Sequence, residues 1–202
     1  MQNGFFRYLN PRGVIALISF LSVGLYLLNR YLGTHIGIHL SVTALIVVIF
    51  GIIDRYFWKY PPFKWLYWIP DMSGRYEGMI RYSDPITGAD DCKQCVVEVF
   101  QTGSKLKARC FFQHEWKQEQ SESKSLEENI VKNDDDTWSL VFTYQNEGIP
   151  ATPHPHYGTN VLRFIQNGEG KFLKGYYYTN RTPQTKGSIE VKFLSNNLKN
   201  DF

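Results

Sequence analysis

At 202 residues the chain has room for one domain, or for a small domain with an appendage, since a domain typically takes about 100 to 150 residues. Its net charge of +3 and mean hydropathy of −0.31 average over unlike parts. Residues 1–70 carry Arg7, Arg12, Arg30, Arg55, Lys59 and Lys64 against Asp54 alone, a net of +5, which leaves −2 for the remainder. That remainder lacks the sustained basic stripe a long nucleic acid requires, and three cysteines (Cys92, Cys95, Cys110) are too few and odd in number for a disulfide framework, which suits a reducing compartment.

The first element is an apolar run whose only strongly polar residues, Arg12, Asn29 and Arg30, lie near its ends. It predicts a transmembrane helix over 12–31, because about 20 helical residues span a bilayer core. No small-residue cleavage site follows it, so it reads as an uncleaved anchor rather than a signal peptide. A second apolar run predicts another transmembrane helix over 36–54, interrupted only by His39 and ended by Asp54 and Arg55. The short link between the two makes them an antiparallel hairpin. Arg7 and Arg12 before the pair and Arg55, Lys59 and Lys64 after it, against Arg30 alone in the link, place both termini in the cytoplasm by the positive-inside rule. The aromatic stretch 56–68, broken by Pro61 and Pro62, suits a headgroup belt and collar. A lipid-specific or partner site is the other reading of it.

From Gly74 the period of the pattern becomes two. Segments 75–82, 95–101, 105–116, 125–132, 137–145, 159–166, 172–179 and 188–194 alternate and are rich in β-branched and aromatic residues. Turn residues separate most of them closely, as at Asp84-Pro85, Thr102-Gly103, Asn133-Asp134 and Asn167-Gly168. Eight short-linked strands predict an antiparallel up-and-down barrel, with room inside for side chains or one small ligand. The expected division is therefore 1–70, a two-helix membrane hairpin, and 71–202, an all-β barrel on the cytoplasmic side. The longest break, 146–156, contains Pro150, Pro153 and Pro155 and reads as a loop.

Few constellations suggest chemistry. Cys92, Cys95, Cys110 and His114 have a zinc-like spacing, but on one strand Cys110 and His114 would lie about 13 Å apart, so no metal is expected. His154 and His156 sit in the proline-rich loop. No nucleophile with an evident base, no phosphate loop and no tight carboxylate pair stands out, so neither an enzyme nor a cofactor is expected. Ser73-Gly74-Arg75-Tyr76-Glu77-Gly78 resembles the Gly-x-aromatic opening of lipocalin-like barrels, where the glycine permits a turn and the ring plugs the base. Late in the chain, residues 175–188 combine three consecutive tyrosines, Arg181, Lys186 and several hydroxyls. Aromatic faces stack nucleobases at about 1 to 3 kcal/mol each, and arginine pairs with phosphate oxygens. This chemistry selects Arg163, Tyr178, Arg181 and Thr185 as candidate ligand contacts, with Tyr82 and Tyr144 as stacking partners. A rim that is purely structural explains the same residues.

The order of parts resembles one family: a helix hairpin, an aromatic junction, the Ser-Gly-Arg-Tyr-Glu-Gly strand, and an eight-stranded barrel ending in Tyr-Tyr-Thr-Asn-Arg-Thr. It is similar to the two-transmembrane, β-strand-rich effectors of bacterial CBASS anti-phage systems. The resemblance implies that a cyclic dinucleotide made by a partner nucleotidyltransferase binds the barrel, that the protein forms a homo-oligomer through its membrane helices, and that the inner membrane is disrupted. Small residues, Gly24 in the first helix and Ser41 in the second among them, would permit close helix packing. The alternatives are a membrane-anchored carrier or sensor of a lipid or other hydrophobic ligand, and a structural adaptor with a filled barrel.

Overall fold

The computed structural model describes residues 7–113, 120–147 and 155–201. Two helices, α1 (Pro11–His35) and α2 (Val42–Ile52), precede eight strands: β1 (Gly74–Ser83), β2 (Asp90–Gln101), β3 (Leu106–Gln113), β4 (Gln120–Lys132), β5 (Trp138–Asn146), β6 (His156–Asn167), β7 (Gly170–Thr179) and β8 (Lys186–Ser195). The described residues fall into two compact units. One comprises those up to Asp71 together with Thr102–Lys105, and the other comprises the rest.

In the first unit, α1 starts where Asn10 Oδ1 accepts from the Arg12 N–H at 3.2 Å and Pro11 occupies the first turn. It outruns the expected 12–31 because nothing breaks it before Gly37. Thr34 Oγ1 donates to the Arg30 carbonyl at 3.0 Å, and the His35 ring stacks on Tyr31 at 4.3 Å. Among the described residues α1 is the one helix long and apolar enough to cross a membrane.

The second span expected over 36–54 is corrected. Residues 36–41 are not helical, since Gly37 has a φ of 74° and the Leu40 N–H donates to Asn29 Oδ1 at 2.8 Å. Ser41 is not inside a helix but is the N-cap of α2, its Oγ accepting from the Ala44 N–H at 3.3 Å. The 11 residues of α2 rise only about 16 Å, against a hydrocarbon core of about 30 Å. They continue into a π-helical turn, Ile53–Phe57. A second membrane-crossing helix is therefore not shown. Asp54, which ends the apolar run, is buried. Its carboxylate accepts from the Tyr67 hydroxyl at 3.3 Å and from the Thr102 and Ser104 hydroxyls at 3.0 Å each.

The second unit is a closed barrel with strand order β1 to β8, and β8 pairs back to β1; every neighbour is antiparallel. All eight expected strands are present. The ladders extend two of them into polar sequence, residues 90–94 of β2 and 120–124 of β4, whose backbones pair although their side chains signal no strand. The expected end of the third strand at 116, with His114, and most of the proline loop, with His154, lie outside the described residues.

Alternation fills the interior with Val97, Leu140, Phe142, Leu162, Leu173 and Ile189, all buried. At the end where β1 begins, Gly74 takes a φ of 130° and the fully buried Tyr76 closes the base. The Tyr76 hydroxyl donates to the Met72 carbonyl at 2.9 Å, and its ring meets Phe193 edge-on at 5.6 Å. Outside this base, Arg75 is 1% exposed. Its guanidinium bonds Glu98 at 2.9 Å and Glu77 at 2.8 Å, and Glu98 also accepts the Lys199 and Asn200 N–H groups.

Candidate functional site

The opposite end of the barrel, the mouth, is where β1, β3, β5 and β7 finish and β2, β4 and β6 begin. Because side chains alternate along each strand, the inward positions there are set by the same parity that fills the core. On β7 the apolar Leu173 points in, so Gly175, Tyr177 and Thr179 do too. On β6 the inward series from the core is Phe164, Leu162 and Asn160. These positions surround a cavity of about 90 Å³, lined by Ile80, Tyr82, Lys93, Phe112, Ser121, Ser123, Tyr144, Asn146, His156, Asn160, Tyr177, Thr179, Arg181 and Thr185. Two cations line it, and no carboxylate does among the described residues.

Two glycines let the tyrosine rings lie flat against the wall. A Cβ on Gly158 would stand 2.3 Å from the Tyr144 hydroxyl, and one on Gly187 would stand 2.8 Å from the Tyr177 ring. Lys93 places its ammonium 5.1 Å above the Tyr82 ring, a cation–π contact that holds it over the mouth. The Tyr82 hydroxyl donates to Asp91 at 2.7 Å. Arg181 approaches His156 Nδ1 at 3.0 Å, and the Thr179 and Thr185 hydroxyls bond each other at 2.7 Å. Asn146 Nδ2 donates to Ser123 at 2.9 Å. Asn160 is the exception. It is 1% exposed, its Nδ2 has only Cys110 Sγ at 4.0 Å, and its Oδ1 has no hydrogen-bond partner among the described residues.

Burial moves ionisation of the mouth's phenols further above neutral pH. It pushes Tyr177 up to about 12 and raises Tyr82 and Tyr144 further. It also pushes the Cys110 thiol up to about 12 and holds Cys95 well above the ordinary thiol value, so both thiols are inert neutral groups inside the wall. Among the described residues no group of three His, Cys, Asp or Glu side chains is placed to hold a metal ion.

Of the six residues selected from the sequence, Tyr82, Tyr144, Arg181 and Thr185 meet in this cavity. The other two do not. Tyr178 is 47% exposed and faces an outer groove with Tyr176 and Arg81. Arg163 lies on the outside near the β4–β5 turn, where its guanidinium bonds Asp135 and Thr137. Tyr177, Lys93 and Asn160 escaped the sequence reading. The parity set by Leu173 was a usable signal for Tyr177 over its neighbour Tyr178. Asn160 likewise follows the inward parity of Leu162 and Phe164, whereas Lys93 carried no signal, because β2 begins in polar sequence.

An eight-stranded antiparallel barrel with one end packed shut, and the other holding a small polar and aromatic cavity, belongs to the class of ligand-receptor barrels. The family model described as Cap15, cyclic dinucleotide receptor domain, matches residues 67–192. That is more than half of the chain and spans the mouth described above, and the protein belongs to this family of CBASS effectors. Among curated proteins none matches the chain.

Proposed function

We propose that the barrel mouth binds a cyclic dinucleotide made by a partner nucleotidyltransferase, and that binding drives association in the inner membrane and its disruption. The observation that carries this reading is the lining of the mouth, in which Tyr82, Tyr144 and Tyr177 stand beside Lys93 and Arg181, with no carboxylate in the lining among the described residues. Rings stack bases, and the two cations pair with phosphates. The cavity of about 90 Å³ has room for about three waters at roughly 30 Å³ each, so it cannot enclose a whole cyclic dinucleotide. Only the edge of one base reaches into it, and the phosphates remain at the rim beside Arg181 and Lys93. The polar lining argues against the lipid-carrier alternative, which needs an apolar interior. Tyr178 and Arg163, outside the cavity, have no part in this proposal.

The apolar α1 and the apolar cleft of about 540 Å³ between it and α2, lined by Leu17, Phe20, Ile49 and Phe63 among others, support a membrane location for the first unit. The charge pattern supports a cytoplasmic position for both ends of that unit. One protomer has too few helices to enclose a pore, so membrane damage requires several copies. Ligand promotes their association only by binding the assembled state more tightly. Gly24 and Gly51 leave open space on their helices for such contacts.

Calorimetry of the full chain against a panel of cyclic dinucleotides tests the binding. Arg181→Ala is expected to weaken it about ten- to a hundredfold, the loss of one charge-assisted contact worth about 1.5 to 3 kcal/mol. No binding by any member of the panel would overturn the reading. Gly24→Leu with Gly51→Leu should leave binding intact and abolish ligand-dependent crosslinking. Persistent crosslinking would remove the helices from the assembly step.

A further inference from the structure

We infer that Asn160 is the residue that reads the nucleobase, an assignment that rests on the mouth being the nucleotide site. Asn160 pairs across the sheet with Phe142 and Tyr177, and its side chain forms the floor of the cavity between Ile80, Phe112, Tyr144 and Cys110. Every other buried polar side chain in this layer has a partner: Asn146 bonds Ser123, and Thr179 bonds Thr185. Asn160 has a thiol at 4.0 Å from its Nδ2, and its Oδ1 has no hydrogen-bond partner among the described residues. An unsatisfied buried amide disfavours the folded state. Packing alone does not require one here, because the next two inward positions on β6 are Leu162 and Phe164. A leucine at position 160 would continue that series. An asparagine retained against the local rule is the mark of a site completed by a ligand.

The chemistry of the missing partner follows from the surroundings. Oδ1 accepts, so the partner must present a hydrogen-bond donor, N–H or O–H. Tyr144 and Tyr177 form walls beside it, so the partner is flat. The thiol and phenols beside Asn160 are neutral, and the cations Lys93 and Arg181 that line the same cavity disfavour a cationic donor, so the donor is a neutral group. A nucleobase edge with a donor beside an acceptor meets all three conditions. The asparagine amide supplies the complementary acceptor and donor, as it does when it pairs with adenine N6 and N7. The base therefore inserts edge-first to the floor, and its donor N–H is the specificity element of the site.

The test uses the full chain in detergent, with calorimetry against cyclic di-adenylate, cyclic di-guanylate and cyclic di-uridylate, and then the tightest of the three against Asn160→Leu. The variant is expected to lose about ten- to a hundredfold in affinity, while its ligand-free unfolding temperature stays equal to or rises above that of the natural protein. A structural asparagine would behave oppositely, so a lowered unfolding temperature with unchanged affinity overturns the inference. A second measurement needs no variant: an analogue whose edge N–H is replaced by C–H or N-methyl should bind the natural protein about ten- to a hundredfold more weakly and Asn160→Leu no more weakly than the parent ligand does. Equal loss on both proteins also overturns it. If the natural protein binds the parent ligand and Asn160→Leu binds it equally, this inference fails and the mouth remains the nucleotide site. If the natural protein binds none of the three, the mouth reading and this one fall together.

Discussion

The two ends of the barrel are built from the same alternating strands and share one continuous interior, yet they end in different chemistry. At the base, Tyr76 is fully buried with its hydroxyl bonded, and Arg75, Glu77 and Glu98 form a bonded cluster under the chain's last residues. At the mouth, the same inward positions carry tyrosines, an asparagine and hydroxyls around a cavity of about 90 Å³. The base satisfies its buried tyrosine and arginine within the chain, whereas at the mouth one buried acceptor, Asn160 Oδ1, has no partner among the described residues. Under the proposed function, stability and recognition occupy opposite ends of one barrel, so substitutions at the two ends should separate them.

The largest expected effect belongs to the base. Arg75→Ala strands the nearly inaccessible Glu98 carboxylate without its guanidinium, and breaking a buried pair in this way costs about 3 to 5 kcal/mol. Denaturant unfolding of the full chain should register that loss, with ligand affinity of the folded fraction unchanged. A change below about 1 kcal/mol would show that the cluster is not what holds the base.

Gly158→Ala should give an intermediate effect on both axes. The new methyl collides with the Tyr144 ring and hydroxyl. Overpacking of this kind costs about 1 to 3 kcal/mol and displaces the ring from the mouth, so unfolding and ligand affinity should both suffer. An affinity loss without a stability loss would mean that the ring moves freely. By contrast Arg181→Ala, which removes an exposed side chain, should shift unfolding by less than about 0.5 kcal/mol while weakening ligand as stated above.

The smallest effect appears only in alkali. The folded barrel holds the Tyr177 proton up to about 12, above the ordinary tyrosine value near 10. The folded state thus binds this proton more tightly than the unfolded chain does. Its contribution to stability is intact below pH 10 and is lost as pH rises through 12. Unfolding measured across pH 10 to 12 should fall less steeply in Tyr177→Phe than in the natural protein. Because Tyr82 and Tyr144 are shifted in the same direction, the slope should lessen without vanishing.

Much of this architecture was legible without coordinates. Period-two alternation located all eight strands, and short turn-rich links implied their antiparallel order, because a hairpin loop leaves no other neighbour within reach. Gly74 and Tyr76 were readable as a turn and a plug. The first apolar run announced α1 by length alone. The second announced α2 but not where it starts, because hydropathy counts apolar residues without testing whether the backbone is helical. Gly37, the Asn29 side chain and the Ser41 cap together withheld six residues from the helix.

Composition also named the ingredients of the mouth, tyrosines with a cation and hydroxyls, and four of six chosen residues meet there. What the sequence by itself determined was the set of elements and the parity of each strand, since both follow from local periodicity. Only the tertiary structure decided that the inward positions of β6 and β7 meet in one cavity, that Arg163 is tied to Asp135 on the outside, and that the buried Asn160 Oδ1 has no hydrogen-bond partner among the described residues. Those facts depend on which strands close against which, and hydrogen-bond satisfaction is a property of the closed barrel that no window of sequence contains.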